Sequence, residues 1–457
     1  MSSASYEPVE RAHHFTVQVG HNLYMWGGRQ SDLPEVHSNE KKKAMCSVVE
    51  VCNLKSGRWK RKPTTSDPPL GVRSYAAAVI RNEIFFFGGW CGHDDCYHNS
   101  LFSFNIDTLN WKELSPTTSR HGPMMRVQCG MTAVRFSDED CLAVIGGFGP
   151  CCNNTPPQPG AQYNNGRCNE VHLYKLKTGE WTSPTVTGDR PPPIDAFTLT
   201  SINNTTAILF GGSSGDKKTK DVYILEFTDT SVNCTKFSKP GRFVRWPKGR
   251  WGHSSVLINC SSGPHLLVVG GSHTKDCWLL NVSKMEWKEL NIPDSVTNRY
   301  YHSLSVWNET QTTHWIIEFG GLKGDSILSN TAFIETISRD DLVVQSVLDI
   351  NEYQKRRVLE GLEPDKDILD KKPRKDDLLR LFQSSDSHFS TIGTALGVKV
   401  DDLMHSPMSA SDKLILVFQR WIDSNNDVTW RKVLQVCNDY PDQLGKAKAH
   451  VKGFLSL

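Results

Sequence analysis

Four soft metal-ligand side chains crowd one short stretch of this chain: WCGHDDCYHNS places Cys91, His93, Cys96 and His98 within eight residues. Thiolates and imidazoles at that density can hold zinc in a tetrahedral shell. The spacing matches no standard zinc finger, and four ligands on so short a segment would strain the tetrahedron. The stretch is therefore read as a loop with incidental cysteines, and no metal or cofactor is expected. Cys151, Cys152 and Cys168 add thiols in a Pro- and Asn-rich stretch, but adjacent cysteines seldom ligate together.

A second set of residues is spaced rather than clustered. Arg11, Arg73, Arg126, Arg190, Arg250 and Arg299 each stand 15 to 21 residues before a Gly-Gly pair, and several adjoin aromatics, as in Arg73-Ser74-Tyr75, Arg250-Trp251 and Arg299-Tyr300-Tyr301. Arginine forks suit carboxylates and phosphates, and arginine with aromatics is enriched at binding hot spots. The candidate ligand face is thus Arg11, Arg73, Tyr75, Arg126, Arg190, Arg250, Trp251, Arg299 and Tyr300. The competing role for the arginines is to brace loops by bonding backbone carbonyls.

The diglycines say what positions these residues. Gly27-Gly28, Gly88-Gly89, Gly146-Gly147, Gly211-Gly212, Gly270-Gly271 and Gly320-Gly321 recur at steps of 61, 58, 65, 59 and 50 residues. Each ends a short apolar run (LYMW, IFFF, LAVI, AILF, LLVV, WIIEF) whose β-branched and aromatic residues fit a buried strand. Downstream, Cys52, Phe104, Tyr174 and Leu280 each precede a tryptophan by seven residues (Trp59, Trp111, Trp181, Trp287), with turn-formers between them. Each pair reads as two outer strands joined by a hairpin.

Diglycine, spaced tryptophan and upstream arginine together resemble the Kelch repeat, and six copies resemble a six-bladed Kelch β-propeller over residues 8–348. In such a fold, residues at one phase of successive blades form a ring about the axis. The resemblance implies capture of a protein or peptide on such a face. The fourth unit lacks the tryptophan, carrying EFTDTSVNCTKF instead, and the sixth has none. The sixth blade's outer strand is expected from either Leu342 to Val347 or the extreme N-terminus.

Composition bounds the reading further. A chain of 457 residues with 38% hydrophobic and 22% charged residues expects two or three ordinary globular domains. A net charge of +2 gives no global attraction to nucleic acid or anionic membrane. The start, MSSASYEPVERAHHF, lacks a secretory pattern, and no apolar run approaches the ~18 residues of a membrane helix. The expected location is cytoplasmic, with nuclear residence open, and the thirteen cysteines are expected to be reduced.

Residues 349–375 are charged and punctuated by Pro364 and Pro373, which reads as a linker with one short helix. Beyond it the period becomes helical. Leu414, Phe418, Trp421 and Ile422 share a face, as do Trp430, Val433, Leu434 and Cys437, and then Leu444, Ala447, Val451, Phe454 and Leu455. With shorter helices before them, six helices are expected over 376–457. HFSTIGTALGV and FQRWIDSNNDVTWRKVLQVC resemble the death domain of the death-fold superfamily. That resemblance implies homotypic association through patches of opposite charge and a role in signal transduction, apoptosis included. The candidates are Arg420, Arg431 and Lys432 on one side, and Asp376, Asp401 and Asp402 on the other.

No phosphate loop, H-E-x-x-H or G-x-S-x-G motif is present, so a non-catalytic adaptor is expected. Two alternatives stand beside it. A metal-dependent Kelch-type enzyme would carry copper or iron. A ubiquitin-ligase substrate receptor would have a helical region before the propeller, where this chain has only about ten residues.

Overall fold

A computed structural model describes residues 6–115, 122–136, 138–150, 158–241, 243–338, 342–360, 371–424 and 427–455. It divides into two compact units, Met1–Gly361 and Leu362–Leu457. Among the described residues, no helix is long and apolar enough to cross a membrane.

In the first unit the alternating apolar runs become six antiparallel sheets in chain order. The first is Phe15–Val19, Asn22–Trp26, Val48–Asn53 and Arg58–Pro63; the last is Ser303–Asn308, Thr313–Phe319, Thr331–Ser338 and Leu342–Asp349. Each run before a diglycine is the second strand of its blade, buried on both faces between neighbouring sheets. Between the third and fourth blades, for example, Ala143, Ile145 and Leu173 pack against Leu209 and Leu225.

Each spaced tryptophan lies directly across the ladder from the residue seven before it: Cys52 opposite Trp59, Phe104 opposite Trp111, Tyr174 opposite Trp181 and Leu280 opposite Trp287. In the fourth blade Cys234 takes that register, opposite Leu225, and the extra strand Thr185–Gly188 pairs in parallel with Ser231–Phe237. In the sixth blade Val347 takes it, opposite Ile334. The sixth outer strand is therefore Leu342–Asp349, one of the two expected sources, and every blade is built from contiguous chain.

Two rings of backbone hydrogen bonds join the blades. The second glycine of every pair donates to a carbonyl of the following blade: Gly28 to Val72, Gly89 to Arg126, Gly147 to Ile194, Gly212 to Arg250, Gly271 to Arg299, and Gly321 back to Arg11, at 2.7 to 3.0 Å. Nearer the axis, His13, Ser74, Gln128, Ala196, Gly252 and Tyr301 form a closed belt. The N–H of each donates to the carbonyl of the one before it, and His13 donates to Tyr301, all at 2.6 to 3.0 Å. The diglycines are required by this approach: at Gly320 φ is +63°, and a Cβ would stand 2.3 Å from the Arg11 carbonyl.

The linker reading needs correction at its start. The helix Ile350–Leu359 opens on an Asp349/Glu352 capping box and belongs to the propeller unit. Its Tyr353 is fully buried, stacks on Phe333 at 3.8 Å, and donates to the Leu54 carbonyl of the first blade. Gln354 and Arg357 donate to the carbonyls of Gly57 and Lys55. The helix thus ties the sixth blade to the first on the outside of the ring. Pro364 lies outside the described residues.

The second unit is helical: Lys375–Phe382, Phe389–Ala395, Asp401–Met404, Ala410–Ser424, Trp430–Asp439 and Pro441–Leu455, with a 3-10 segment at Gln383–His388. Leu378, Phe382, Ile392, Leu414, Phe418, Trp421, Trp430, Val433, Cys437, Leu444, Ala447 and Val451 form its core. The Thr429 hydroxyl caps the fifth helix by accepting from the Lys432 N–H. Phe454 departs from the expected face: it is 40% exposed, its ring tilted against Trp430 with the Arg380 guanidinium over it.

The outer tie sets a prediction. Tyr353→Ala removes the stacked ring and its hydrogen bond, and should lower propeller stability by about 3 kcal/mol. Urea unfolding of the full chain, followed by near-UV signal, would show no shift if the helix were only a linker.

Candidate functional site

The belt residues sit at the bottom of a mouth on one face of the propeller. Five of the six are not glycine, yet all have positive φ: His13 57°, Ser74 53°, Gln128 54°, Ala196 52°, Tyr301 52° and Gly252 64°. A non-glycine residue in that region costs on the order of 1 kcal/mol, and the inter-blade bonds hold it there. Across this floor the Gln128 amide of the third blade donates to the Tyr301 hydroxyl of the sixth, opposite it, at 2.8 Å. The His13 ring stacks on Tyr301 with centroids 3.7 Å apart. These contacts separate the mouth from a narrow channel of about 150 Å³ below, lined by residues such as Thr198, Ser254 and Ser303.

Above the plug lies a cavity of about 570 Å³ lined by Arg29, Glu35, Arg73, Trp90, Asp94, Asp95, Tyr97, Phe148, Arg167 and Asp195 together with belt residues. Arg73 bonds Glu35 at 3.1 Å and lies over the Trp90 ring at 5.2 Å. Arg167 bonds Asp195 at 2.9 Å and lies over Phe148 at 5.6 Å. Arg29 is exposed on the rim. Burial raises the Asp195 carboxyl even though Arg167 pulls the other way. Burial, helped by the charges of Arg29 and Arg73, holds the His13 imidazole down at about 3.

Most of the arginines expected to line this face do not reach it. Arg11, Arg126, Arg250 and Arg299 are buried, and each donates to the carbonyl of the first glycine of its own blade's pair, at 2.9 to 3.0 Å. All four also stand beside acids: Arg11 with Glu50 at 2.5 Å, Arg126 with Glu170 at 2.6 Å, Arg250 with Asp276 at 2.7 Å and Arg299 with Glu318 at 3.5 Å. They are the braces of the alternative reading. Arg190 braces a different loop, through Gln158 and the carbonyls of Pro159 and Asn169. Tyr75 is core, donating to the Trp26 carbonyl. Trp251 and Tyr300 form a half-buried aromatic cluster with Tyr301, beside the cavity rather than in its lining.

Arg73 alone of the six lines the cavity. Glu170, Asp276 and Asn330 offer side-chain oxygens to arginines where the third strand meets the first glycine, and the second blade has Ser100 at that register. Arg73, itself buried, pairs with Glu35 instead. The lining that sequence reasoning missed follows a phase of its own. Arg29, Trp90 and Phe148 immediately follow their diglycines, and each bridges the residue before a belt position or one next to it: Ala12, Arg73 and Val127. The signal was the residue after the repeat marker rather than the marker.

In the metal-suspect loop, Cys91, Cys96 and His98 converge, while His93 points to Asp94 at 3.3 Å and is half-exposed. Cys151 and Cys152 lie outside the described residues, and Cys168 is buried against Arg126. On the helical unit, Arg420 and Asp402, expected on opposite association patches, bond each other at 2.6 Å, which holds the Asp402 carboxyl down at about 2. Asp376, Asp401 and Arg431 are exposed, and Lys432 is half-buried.

Six blades, five of four strands and the fourth of five, closed into a ring with a plugged axis and an aromatic, guanidinium-lined mouth, define a propeller that presents one recessed face. The chain belongs to the Kelch-repeat family: the model of the KLHDC2/KLHL20/DRC7 Kelch-repeats domain matches residues 2–156 and 159–321. It is similar to Kelch domain-containing protein 1 of Mus musculus, 25% identical over 353 residues covering 73% of this chain and 80% of that protein. It is similar also to Kelch domain-containing protein 2 of Homo sapiens, 24% identical over 348 residues covering 71% and 79%. Among solved structures, that of YjhT shares the fold with a TM-score of 0.52 at 15% identity, covering 75% of this chain and 100% of that one.

Two predictions separate bracing from binding and test the buried imidazoles. Arg126→Ala strands Glu170 as a buried unpaired charge and should cost about 3–5 kcal/mol, whereas Arg29→Ala should change stability by about 0.5 kcal/mol or less; equal effects in denaturant titrations would contradict the division. Burial also keeps His253 down at about 3 and His14 and His302 well below 6.5, so with His13 these rings stay neutral in the fold. The unfolded chain takes up their protons, so stability is full above 6.5 and declines as pH falls from there toward about 3. Glu318, pushed up to about 8 by burial against the pull of Arg299, opposes this, losing stability as pH rises from 4.5 to 8. His98, His172 and His314 are also held down by burial, and Asp195 is raised alongside Glu318; with the imidazoles outnumbering the carboxyls, the melting midpoint should drop between about pH 7 and about pH 5, and an unchanged midpoint in calorimetry would refute the neutral imidazoles.

Proposed function

We propose that this chain is a non-catalytic adaptor: its propeller captures a protein or peptide segment in the mouth, and its C-terminal helical unit joins a signalling assembly by homotypic association. The observation that carries the first half is the mouth itself. It is an open cavity of about 570 Å³ with a rigid floor, aromatic walls at Trp90, Tyr97 and Phe148, and guanidinium groups at Arg29, Arg73 and Arg167. Rigid aromatics contribute contact area at little entropic cost, and guanidinium forks recognise carboxylates in two-point geometry. Arg73 and Arg167 are already oriented by acids, so a ligand carboxylate meets preset donors, with exposed Arg29 as the first contact. The segment favoured is one carrying an acidic group beside an aromatic or aliphatic side chain.

The second half is supported by the six α-helices among the described residues and by the death-domain resemblance of HFSTIGTALGV and FQRWIDSNNDVTWRKVLQVC. The candidate association surface is Arg431 and Lys432 with Asp376 and Asp401, joined by Arg420 and Asp402, which bond each other.

A library of random peptides passed over the immobilised full chain, together with light scattering, tests both halves. Peptides retained by the wild type should be lost with Arg29→Glu plus Tyr97→Ala and kept with Arg431→Glu plus Lys432→Glu. The latter pair should in turn abolish salt-sensitive self-association. Capture indifferent to the mouth variant would sink the ligand reading, and self-association unchanged by the charge reversals would sink the homotypic one.

A further inference from the structure

The structure assigns a zinc site to His37, Cys91, Cys96 and His98. Their ligand atoms, two thiol sulfurs and two ring nitrogens, all lie within 4.8 Å of one another. His37 Nδ1 is 3.3 Å from Cys96 Sγ, and Cys96 Sγ is 3.8 Å from His98 Nε2. A tetrahedral zinc with Zn–N of about 2.0–2.1 Å and Zn–S of about 2.3 Å has edges of roughly 3.3–3.8 Å, so these two contacts already have the required length. The donor set is the Cys₂His₂ set of structural zinc.

Two loops from different blades build the site, which removes the strain that one short segment would have imposed. The Cys91 N–H donates to the Cys96 carbonyl and the Cys96 N–H to the His93 carbonyl, folding 91–96 into a tight turn that leaves His93 outside. Cys96 and His98 then alternate in extended chain and share a face. His37 enters from the connection between the second and third strands of the first blade, just ahead of the helix Glu40–Cys46 that Asn39 caps. The two loops are fastened beneath the cluster by the buried Lys42, whose ammonium donates to the carbonyls of Val36, His37 and Cys91 at 2.9, 3.1 and 2.6 Å. The His37 and His98 rings lie nearly parallel, 5.6 Å apart. Cys91 and His98 are buried and His37 is exposed, so three ligands are preorganised while the fourth leaves an entry path.

Binding balances simply. Zn²⁺ displaces one proton from each of the Cys91 and Cys96 thiols to solvent and coordinates two neutral imidazoles, so the loaded centre is neutral. The same two loops carry Glu35, Asp94 and Asp95 into the mouth cavity, so the metal would staple the first blade to the second along one wall of it. Only this consequence rests on the ligand reading; the metal assignment does not.

The test uses the full chain purified under reducing conditions without chelator. Elemental analysis should find one zinc per chain, and after chelation Co²⁺ should restore the visible bands of a tetrahedral cobalt with thiolate ligands. His37→Ala, an exposed substitution that leaves the core untouched, should weaken zinc binding at least about tenfold, Cys96→Ser should abolish the cobalt bands, and His93→Ala should bind as the wild type does. Absence of zinc together with no cobalt bands in folded, fully reduced protein would overturn the assignment. So would a Cys91–Cys96 disulfide in that preparation, or a loss in His93→Ala equal to that in His37→Ala.

Discussion

The closed belt of backbone hydrogen bonds through His13, Ser74, Gln128, Ala196, Gly252 and Tyr301 is the constraint on which the propeller depends. Each blade contributes one donor and one acceptor, so the belt exists only when all six blades are in place. It holds five non-glycine residues at positive φ, a conformation that no isolated blade would keep. The diglycine ring outside it lets the second strand of each blade approach its neighbour's backbone closely enough to bond it. Together the two rings convert six weakly stable sheets into one cooperative body with a fixed floor at its centre.

Everything on the mouth follows from that floor. The residue after each diglycine is placed beside it, which brings Arg29, Trp90 and Phe148 to the rim of one cavity. Four of the six repeat-phase arginines pack behind the floor instead, each with a glycine carbonyl and an acid or amide within reach. Arg73 differs: Ser100 stands opposite its blade's first glycine, and its guanidinium pairs with Glu35 in the cavity lining.

Much of the architecture was legible because its markers are local. Diglycines, the seven-residue interval to tryptophan and the switch to helical period at the C-terminal side each reflect a strand, hairpin or helix whose geometry is set within a few residues. The blades that broke the pattern were legible only as breaks. Cys234 and Val347 occupy the tryptophan register because a parallel fifth strand and the stacked Tyr353 complete those blades, and both compensations come from chain outside the repeat. The Arg420–Asp402 pair was invisible for a like reason, since 18 residues and a turn between helices separate its members.

By itself the sequence determined the repeat number, the strand-to-hairpin order within each blade, and the helical character of the C-terminal unit, all consequences of side-chain period and turn chemistry. Tertiary structure alone decided which arginines are buried, which residues share the mouth, and that His37 rather than His93 meets Cys91, Cys96 and His98. Those outcomes depend on which loops of neighbouring blades come into contact. That contact is fixed by closure of the ring, a condition on all six repeats at once that no single stretch of sequence carries.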